Sequence, residues 1–481
     1  MKKSVTNQWS LTGVDFSVDD LPVLKSVDVL VVGAGASGVA AATVAATSGL
    51  DVLLIEKYGF AGGAAVAGLS GTICGLYLAR DGEQQPIQIV RGFTQQFIEE
   101  LESRGGLTPP QRYGKTYTRA HDPLKWRESA DSLLVRAGVE VMFHTSLISA
   151  IVTDGRFEGA VLASNAGVST VRARRIIDAS GDGAVVARGG GAYRFGDNGR
   201  IQNPTMFFRL ANVDLPAFKD AWGEDTICPD WVSRELVSAR ATGLNLPREK
   251  IWLFETGRPG ELLVNATRLV GPENRMLNVI DPVDFTIAEI GGRLQVRDYH
   301  QFLAERVPGC ENSYVVDTGV EAGIRQTRTI QGIATLTNSD VVGGSKVDDA
   351  ICRSAWPIEL HDGERPKLNW LLDDFYEVPY GTLVPVAGEN IIVAGRCLSA
   401  EHEALASARV TAQCFEYGHA AAVATAISLT TETSFRDIDG RHVRAQMVRN
   451  GSDLDVAHDT TSSSSARSIF GRNGEDDDRT P

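Results

Sequence analysis

At 481 residues and 43% hydrophobic content the chain can bury a large core, and about 150 residues per domain gives two or three units. Acidic residues outnumber basic ones 61 to 47, a net charge of −14 with no Lys/Arg block, which argues against nucleic acid or an anionic membrane surface and leaves small molecules as partners. Six cysteines (Cys74, Cys228, Cys310, Cys352, Cys397 and Cys414) show neither C-x-x-C nor Cys/His metal spacing, so reduced thiols in a cytoplasmic protein are expected and a zinc or iron–sulfur site is not.

The chain opens MKKSVTNQWS, basic and then polar where a secretory signal needs an apolar run, and no apolar stretch reaches the ~18 residues of a membrane helix. Residues 1–26 read as an arm lying on the first domain. Residues 27–57 then read as strand, glycine turn, helix and strand. Gly33, Gly35 and Gly38 stand in G-x-G-x-x-G spacing after an apolar β run, and Glu56 ends the second strand 18 residues beyond Gly38. In such a turn the first glycine allows a tight bend, the second lets backbone approach a pyrophosphate, and the third lets helix and strand pack closely. The helix start at Ala36 offers N–H groups to phosphate, and Glu56 can accept both hydroxyls of an adenosine ribose. The turn alone does not distinguish NAD from FAD.

Lys57 leads into a glycine-dense segment in which Gly62 and Gly63 could fold the chain back under a bound cofactor. Phe93, Phe97 and Leu101 predict a packing helix within residues 91–104. Asp122 and Pro123 predict an N-capped helix over 122–137, followed by strands near 139–143, 147–152, 159–163 and 168–173. Residues 178–182 (DASGD) form a second strand-to-glycine turn, with Gly181 leaving room for a cofactor and Asp182 offering polar contacts. Residues 203–338 read as an insertion, with a hairpin over 251–269 and a helical pattern over 284–308. Residues 390–394 read as a buried strand that turns at Gly395 and Arg396. A loop through His402 then precedes an alanine-rich helix from about Arg409 and Val410 to Ile427, its N-terminus suited to an electron-rich ligand. The Ser/Asp-rich tail over 451–481 is expected to be disordered.

Taken together, the first unit, the Gly62–Gly63 pair, the Asp122–Pro123 helix and the DASGD turn resemble FAD-dependent oxidoreductases of the two-dinucleotide-binding-domain fold, distantly similar to fumarate reductase and succinate dehydrogenase flavoproteins. EAGIRQTRTIQGIATLTNSDVV, WPIELHDGE, YEVPYGTLVPV and NIIVAGRCLSAEHEALASARV carry the resemblance to residue 429. It implies an α/β protein: a Rossmann-like FAD-binding domain of the glutathione-reductase type over 27–202 and 356–450, with an inserted α+β substrate (cap) domain over 203–355. It implies FAD, held by Gly33, Gly35, Ala36, Gly38, Glu56, Lys57, Gly62, Gly63, Gly181, Asp182, Gly395, Arg396, Arg409 and Val410. Many members of the wider fold carry an acid where this chain has Arg396, which the closer family shares and which is placed near the pyrophosphate.

Flavin chemistry needs a group to take or give a proton while hydride moves. The candidates are His402 first, then Tyr380, Glu401 and His361, with Arg325, Arg328 and Arg409 as anion clamps. Arg325 and Arg328 either bind a carboxylate or pair with Glu321 and Asp340 at a domain interface, and His361 reads as the end of a strand. His144 reads as a sheet residue. The expected function is oxidation of a small substrate at C–OH or C–N by a dehydrogenase or oxidase. The His-Gly-Ala-Asn-Arg signature of fumarate reductases is missing, and no second G-x-G-x-x-G follows a strand for NAD(P)H. A C=C reductase and a non-catalytic FAD-binding protein stay as alternatives, with O2, a quinone or a carrier protein open as electron acceptor.

Overall fold

The computed structural model describes residues 18–82, 85–361 and 363–455. Strand β1 (Val23–Val32) is apolar on both faces from Val29 onward because it lies between two parallel neighbours. One is β2 (Val52–Ile55), in register from Val29 opposite Val52 to Val32 opposite Ile55. The other is the Gly167–Asp178 strand, whose last residue lies opposite Val32. Glu140–Met142 extends the sheet beyond β2.

The Gly167–Asp178 strand is long enough to serve two partners along one edge. Its first half pairs antiparallel with Arg156–Ser164, which pairs in turn with Ser146–Thr153. Its last residues, Ile176 to Asp178, pair parallel with Ile391–Val393. The strands that lead into Gly33, Glu56, Ala179 and Ala394 therefore all end on one edge of the sheet, where ligands of open α/β sheets bind.

Helix α1 (Ala36–Thr47) has the sequence ASGVAAATVAAT, with no polar face, and is covered on both sides. Small residues let the Thr411–Thr431 helix press onto it: a Cβ on Gly418 would lie 2.0 Å from the carbonyl oxygen of Ser37. The expected capping of the Pro123–Ala137 helix is present. Asp122 accepts from the N–H groups of Leu124 (2.8 Å) and Lys125 (3.1 Å), and Gly138 closes the other end in the left-handed region.

A second unit is built on an antiparallel sheet in the order Trp252–Glu255, Leu262–Asn265, Phe208–Ala211, Tyr314–Thr318. The expected hairpin is there, with Trp252 opposite Asn265, and the helical pattern becomes the Pro282–Arg306 helix. This unit has its own apolar core, from Met206 to Ala322. It is shorter than the 203–355 segment expected. Ile330, Leu336, Val341 and Ile351 belong to the first core, because Arg328–Ile330 pairs with Tyr193–Phe195 and Ala350–Ser354 pairs with Tyr376–Pro379. The units are tied by Arg258 to Asp122 (2.7 Å) and by Lys57 to Glu321 (3.0 Å).

Both chain ends depart from expectation where they are described. Val23 to Ser26 extend β1 instead of forming an arm, and residues 1–17 lie outside the described residues. Residues 451–455 are packed rather than disordered. Leu454 is in the core, Ser452 donates to Glu416 (2.7 Å), and Arg353 donates to the carbonyls of Asp453 (2.6 Å) and Leu454 (2.5 Å). Residues 456–481 lie outside the described residues. All six cysteines are free thiols. Among the described residues no helix is long and apolar enough to cross a membrane.

The Gly418 contact is with backbone, which cannot rotate aside. Gly418→Ala is expected to cost about 1–3 kcal/mol of unfolding free energy, read as a lower urea midpoint at an unchanged m-value. An unchanged midpoint would mean that the two helices part without cost.

Candidate functional site

Three glycine turns and one helix start converge on the carboxyl edge of the parallel sheet. Gly33 leaves β1 at φ +98°, and a Cβ there would lie 2.7 Å from the carbonyl oxygen of Ala179. A Cβ on Gly38 would lie 1.8 Å from the carbonyl oxygen of Gly33. These two glycines are required by the protein's own packing. Gly35 is different: a Cβ there would meet only the Cα of Gly63, at 3.8 Å, and otherwise points into an open cleft. Helix α1 starts next to it with no side-chain cap, so its first-turn N–H groups have no side-chain acceptor. Gly62 donates from its N–H to the carbonyl of Ala34 (2.8 Å), which folds the following loop back under the turn.

Glu56 stitches this turn together. One carboxylate oxygen accepts from the N–H of Ala34 (2.7 Å) and the other from that of Tyr58 (3.0 Å). Burial raises its pKa, and the two N–H groups oppose the rise. Each oxygen keeps a further lone pair, and Glu56 lines the cleft. Lys57 and the Tyr58 hydroxyl both turn to Glu321 of the second unit.

In the second turn the organising residue is Asp178, which the sequence reading left without a role. Fully buried at the strand end, it accepts from the N–H groups of Ser180 (3.1 Å), Val185 (2.8 Å) and Val186 (3.2 Å) and from the Ser180 hydroxyl (2.6 Å). Asp182 beyond it accepts from Arg396 (2.7 Å) and from the Thr327 hydroxyl (2.7 Å). Burial pushes the Asp182 carboxyl up, but Arg396 and Thr327 outweigh it and hold it below its ordinary value. The second and third turns are thereby locked to each other. In the third turn a Cβ on Gly395 would sit 2.8 Å from the Ser37 hydroxyl, closing the ring back to α1.

Of the cofactor residues expected from the sequence, all but Gly38 line this one cleft, and Gly38 supports it from beneath. The predicted catalytic residues divide. Arg325 and Arg409 line the cleft. His402 does not: it is the buried first residue of a separate short helix, His402–Ala408, that stands where a loop was expected, while the expected alanine-rich helix begins at Thr411. Glu401 is also outside, accepting from the N–H of Asn338 (2.7 Å). Tyr380 is buried elsewhere, its hydroxyl donating to the carbonyl of Phe435 (2.9 Å). Arg328 is not among the residues that line the cleft. It begins the Arg328–Ile330 strand and lies over the Tyr193 ring. His144 sits at φ +52° in a turn after Glu140–Met142, not in a strand.

A polar chamber opens from the cleft at the seam between the units. Glu359 projects from the buried Ile358–Leu360 strand, and one of its oxygens accepts from the Tyr113 hydroxyl (2.5 Å) and lies 3.2 Å from His361 Nε2. On the far side of the imidazole, Arg248 Nη1 lies 2.9 Å from Nδ1. A guanidinium can only donate, so Nδ1 accepts and the ring proton sits on Nε2, directed at Glu359. Burial and the neighbouring Arg325 and Arg248 push His361 well below its ordinary pKa, in keeping with a neutral ring. Burial raises the Glu359 carboxyl, but His361, Tyr113 and Arg409 outweigh this and hold it below the carboxylate range. Tyr113 is pushed up by burial and by Glu359.

Arg325 completes the chamber, donating to the carbonyl of Asn203 (2.9 Å) and to Asn265 Oδ1 (3.3 Å), and Arg409 donates to Gln202 Oε1 (3.0 Å). Trp356 stands 4.8 Å from the Tyr113 ring. The buried Trp356 Nε1 and Arg409 Nε have no hydrogen-bond partner among the described residues. Apart from Arg325 and Arg409, sequence reasoning missed this constellation or set it aside. The one visible signal was an acid, Glu359, inside an otherwise apolar strand.

The cleft fits FAD on this chain's own evidence. Gly35 leaves a space that a side chain would fill, two helix starts at Ala36 and Thr411 face it without side-chain caps, and buried donors wait unpartnered where it meets the chamber. Residues 28–447 match the family described as FAD dependent oxidoreductase. Among solved structures, a geranylgeranyl bacteriochlorophyll reductase-like protein from Thermoplasma acidophilum is 15% identical, the match covering 89% of this chain and 82% of that one at a TM-score of 0.46. A p-nitrophenol 4-monooxygenase from Pseudomonas putida DLL-E4 is 11% identical, with 89% and 85% covered and a TM-score of 0.46. A flavoprotein/dehydrogenase from Cytophaga hutchinsonii is 13% identical, with 88% and 83% covered and a TM-score of 0.43. No curated protein matches the chain in sequence. With the family match spanning most of its length and the cleft shaped for the cofactor, the chain belongs to the FAD dependent oxidoreductase family.

Proposed function

We propose that this chain is a dehydrogenase or oxidase that oxidises a small organic substrate at a C–OH or C–N carbon. The observation that carries the reading is the continuity of the cleft, which runs from Glu56 past the three turns to Arg409 and opens on Tyr113, Glu359 and His361. In this reading the first unit is the FAD-binding domain of a glutathione-reductase-type fold, and the second unit is its substrate cap. The first turn and the start of α1 hold the pyrophosphate, Glu56 the adenosine ribose, and Arg396 the region between them and the Thr411–Thr431 helix start.

FAD, when bound, supplies the acceptor for a hydride. The chain supplies the proton acceptor. One oxygen of Glu359 is taken by Tyr113 and His361, and the other makes no hydrogen bond among the described residues. That second oxygen takes the proton from the substrate O–H or N–H as hydride leaves the adjacent carbon, so that a C=O or C=N bond forms. Tyr113 and His361 fix the carboxylate, and Arg248 fixes the tautomer of His361. Reoxidation of the cofactor falls to O2, a quinone or a carrier protein.

The reading is tested by purifying the protein, recording its absorption spectrum, and screening metabolites anaerobically for loss of the flavin band. Absence of bound or reconstitutable flavin would overturn it. Gly35→Ala is expected to leave the unfolding free energy of the cofactor-free protein within about 0.5 kcal/mol while weakening FAD binding by about tenfold or more, measured by titration, since only the cofactor needs that space. Glu359→Gln should keep FAD and slow its reduction by about 100-fold or more; equal loss of FAD and rate would make Glu359 structural. Because burial and two guanidinium neighbours keep His361 neutral even below its ordinary pKa, and Glu359 stays ionised, the reduction rate should show no inflection near about pH 6.5. A step there in stopped-flow traces would assign the titrating group to the imidazole.

A further inference from the structure

Arginines buried in this protein are paired with carboxylates, except at one place. Arg209 has Glu261 (3.3 Å) and Asp317 (2.6 Å), Arg353 has Glu377 (3.2 Å), and Arg175 has Glu432 (3.9 Å). Arg248 and Arg325, equally buried, have no carboxylate within 4.0 Å among the described residues, and neither does the half-buried Arg409. Their partners are neutral: the carbonyl of Thr267 and the imidazole of His361 for Arg248, Asn203 and Asn265 for Arg325, and Gln202 for Arg409. Arg325 and Arg409 line the chamber around Glu359 and Arg248 lies behind His361, while the bonded oxygen of Glu359 is already shared by Tyr113 and His361.

Two guanidinium groups thus line a chamber that holds one carboxylate, and a third is buried behind its imidazole. Such an imbalance is costly, because a buried cation without a counter-ion loses its hydration and gains only hydrogen bonds to neutral groups in return. Burial lowers the pKa of Arg248 to about 10, and burial together with the neighbouring Arg248 and Arg409 lowers that of Arg325 well below its ordinary value. Arg248 Nη2 and Arg409 Nε, both buried, have no acceptor among the described residues. Arg396, by contrast, is already neutralised by Asp182 beside the glycine turns.

We infer that the substrate brings the missing charge: a small carboxylate held by Arg325 and Arg409, with Arg248 behind them, whose adjacent C–OH or C–N group faces the free oxygen of Glu359. The inference rests on the reading of this chamber as the substrate site. Arg325 and Arg409 set specificity by offering N–H groups in a fork that matches a carboxylate and no neutral group of similar shape. The aromatic walls, Tyr113, Trp356 and Phe254, leave the rest of the substrate apolar or flat.

The test uses the FAD-loaded protein with oxalate, malonate and benzoate as probes, each against its amide. Binding is followed anaerobically by perturbation of the flavin band and by melting temperature. At least one carboxylate should bind saturably and about 30-fold or more tighter than its amide, and raise the melting temperature where the amide does not. Arg325→Met should keep FAD and the ligand-free melting temperature while losing about 30-fold or more of that affinity, and Arg409→Gln should repeat the loss if Arg325→Met fails to fold. Carboxylates that bind no better than their amides, with FAD retained and a metabolite still bleaching it, would overturn the inference and leave the flavoenzyme standing. Failure of the protein to take up FAD would overturn both.

Discussion

The site depends on backbone touching backbone around Ser37. Its carbonyl oxygen lies where a side chain on Gly418 would be, and its hydroxyl donates to the carbonyl of Cys414 (2.7 Å) and fills the space beside Gly395. One residue in the first turn of α1 therefore fixes the third glycine turn and the long helix whose start faces the other end of the cleft. The two ends of the cleft are held in place by glycines that permit contact, not by side chains that fill space. Asp178 plays the matching part from the strand side, holding the second turn with four hydrogen bonds to one buried carboxylate. A site built this way presents a rigid frame to a long cofactor.

Electrostatics divides the cleft into two regimes. Along the glycine turns, charge is balanced internally, Asp182 with Arg396 and Glu56 with backbone N–H groups. In the chamber it is not, and the excess is positive although the whole chain carries −14. A negatively charged protein with a positive pocket draws its ligand by a local field against an opposing background, so ionic strength affects that attraction less than it would at an exposed patch.

What could be read from the sequence was whatever is local. The turn at Gly33 to Gly38, the Asp122 cap and the hairpin around residues 257–260 are decided by residues within a few positions of one another, and each appears as expected. The chamber draws on Tyr113, Arg248, Arg325, Glu359, His361 and Arg409, brought together only when two units close on each other, so no spacing announces it. On sequence His402 is a candidate because it stands just before the Thr411–Thr431 helix. That argument fails because the His402–Ala408 helix begins at His402 itself and buries it against its own core. Glu359 was hidden for the opposite reason: its neighbours Ile358 and Leu360 are core residues, and the run reads as plain packing.

The double duty of the Gly167–Asp178 strand bears on how the protein is made. Its antiparallel partner is its immediate neighbour in the chain, but its parallel partner, Ile391–Val393, arrives roughly 200 residues later. While the intervening unit is being synthesised, the end of the strand at Ile176 to Asp178 has an open, apolar edge beside two finished glycine turns. Closing so long a loop is slow compared with local pairing, and an open edge of that kind invites wrong partners. The nascent chain passes through an interval in which half of the cofactor site exists and its fourth wall does not. Efficient production of this protein then turns on how quickly the last strand reaches that edge.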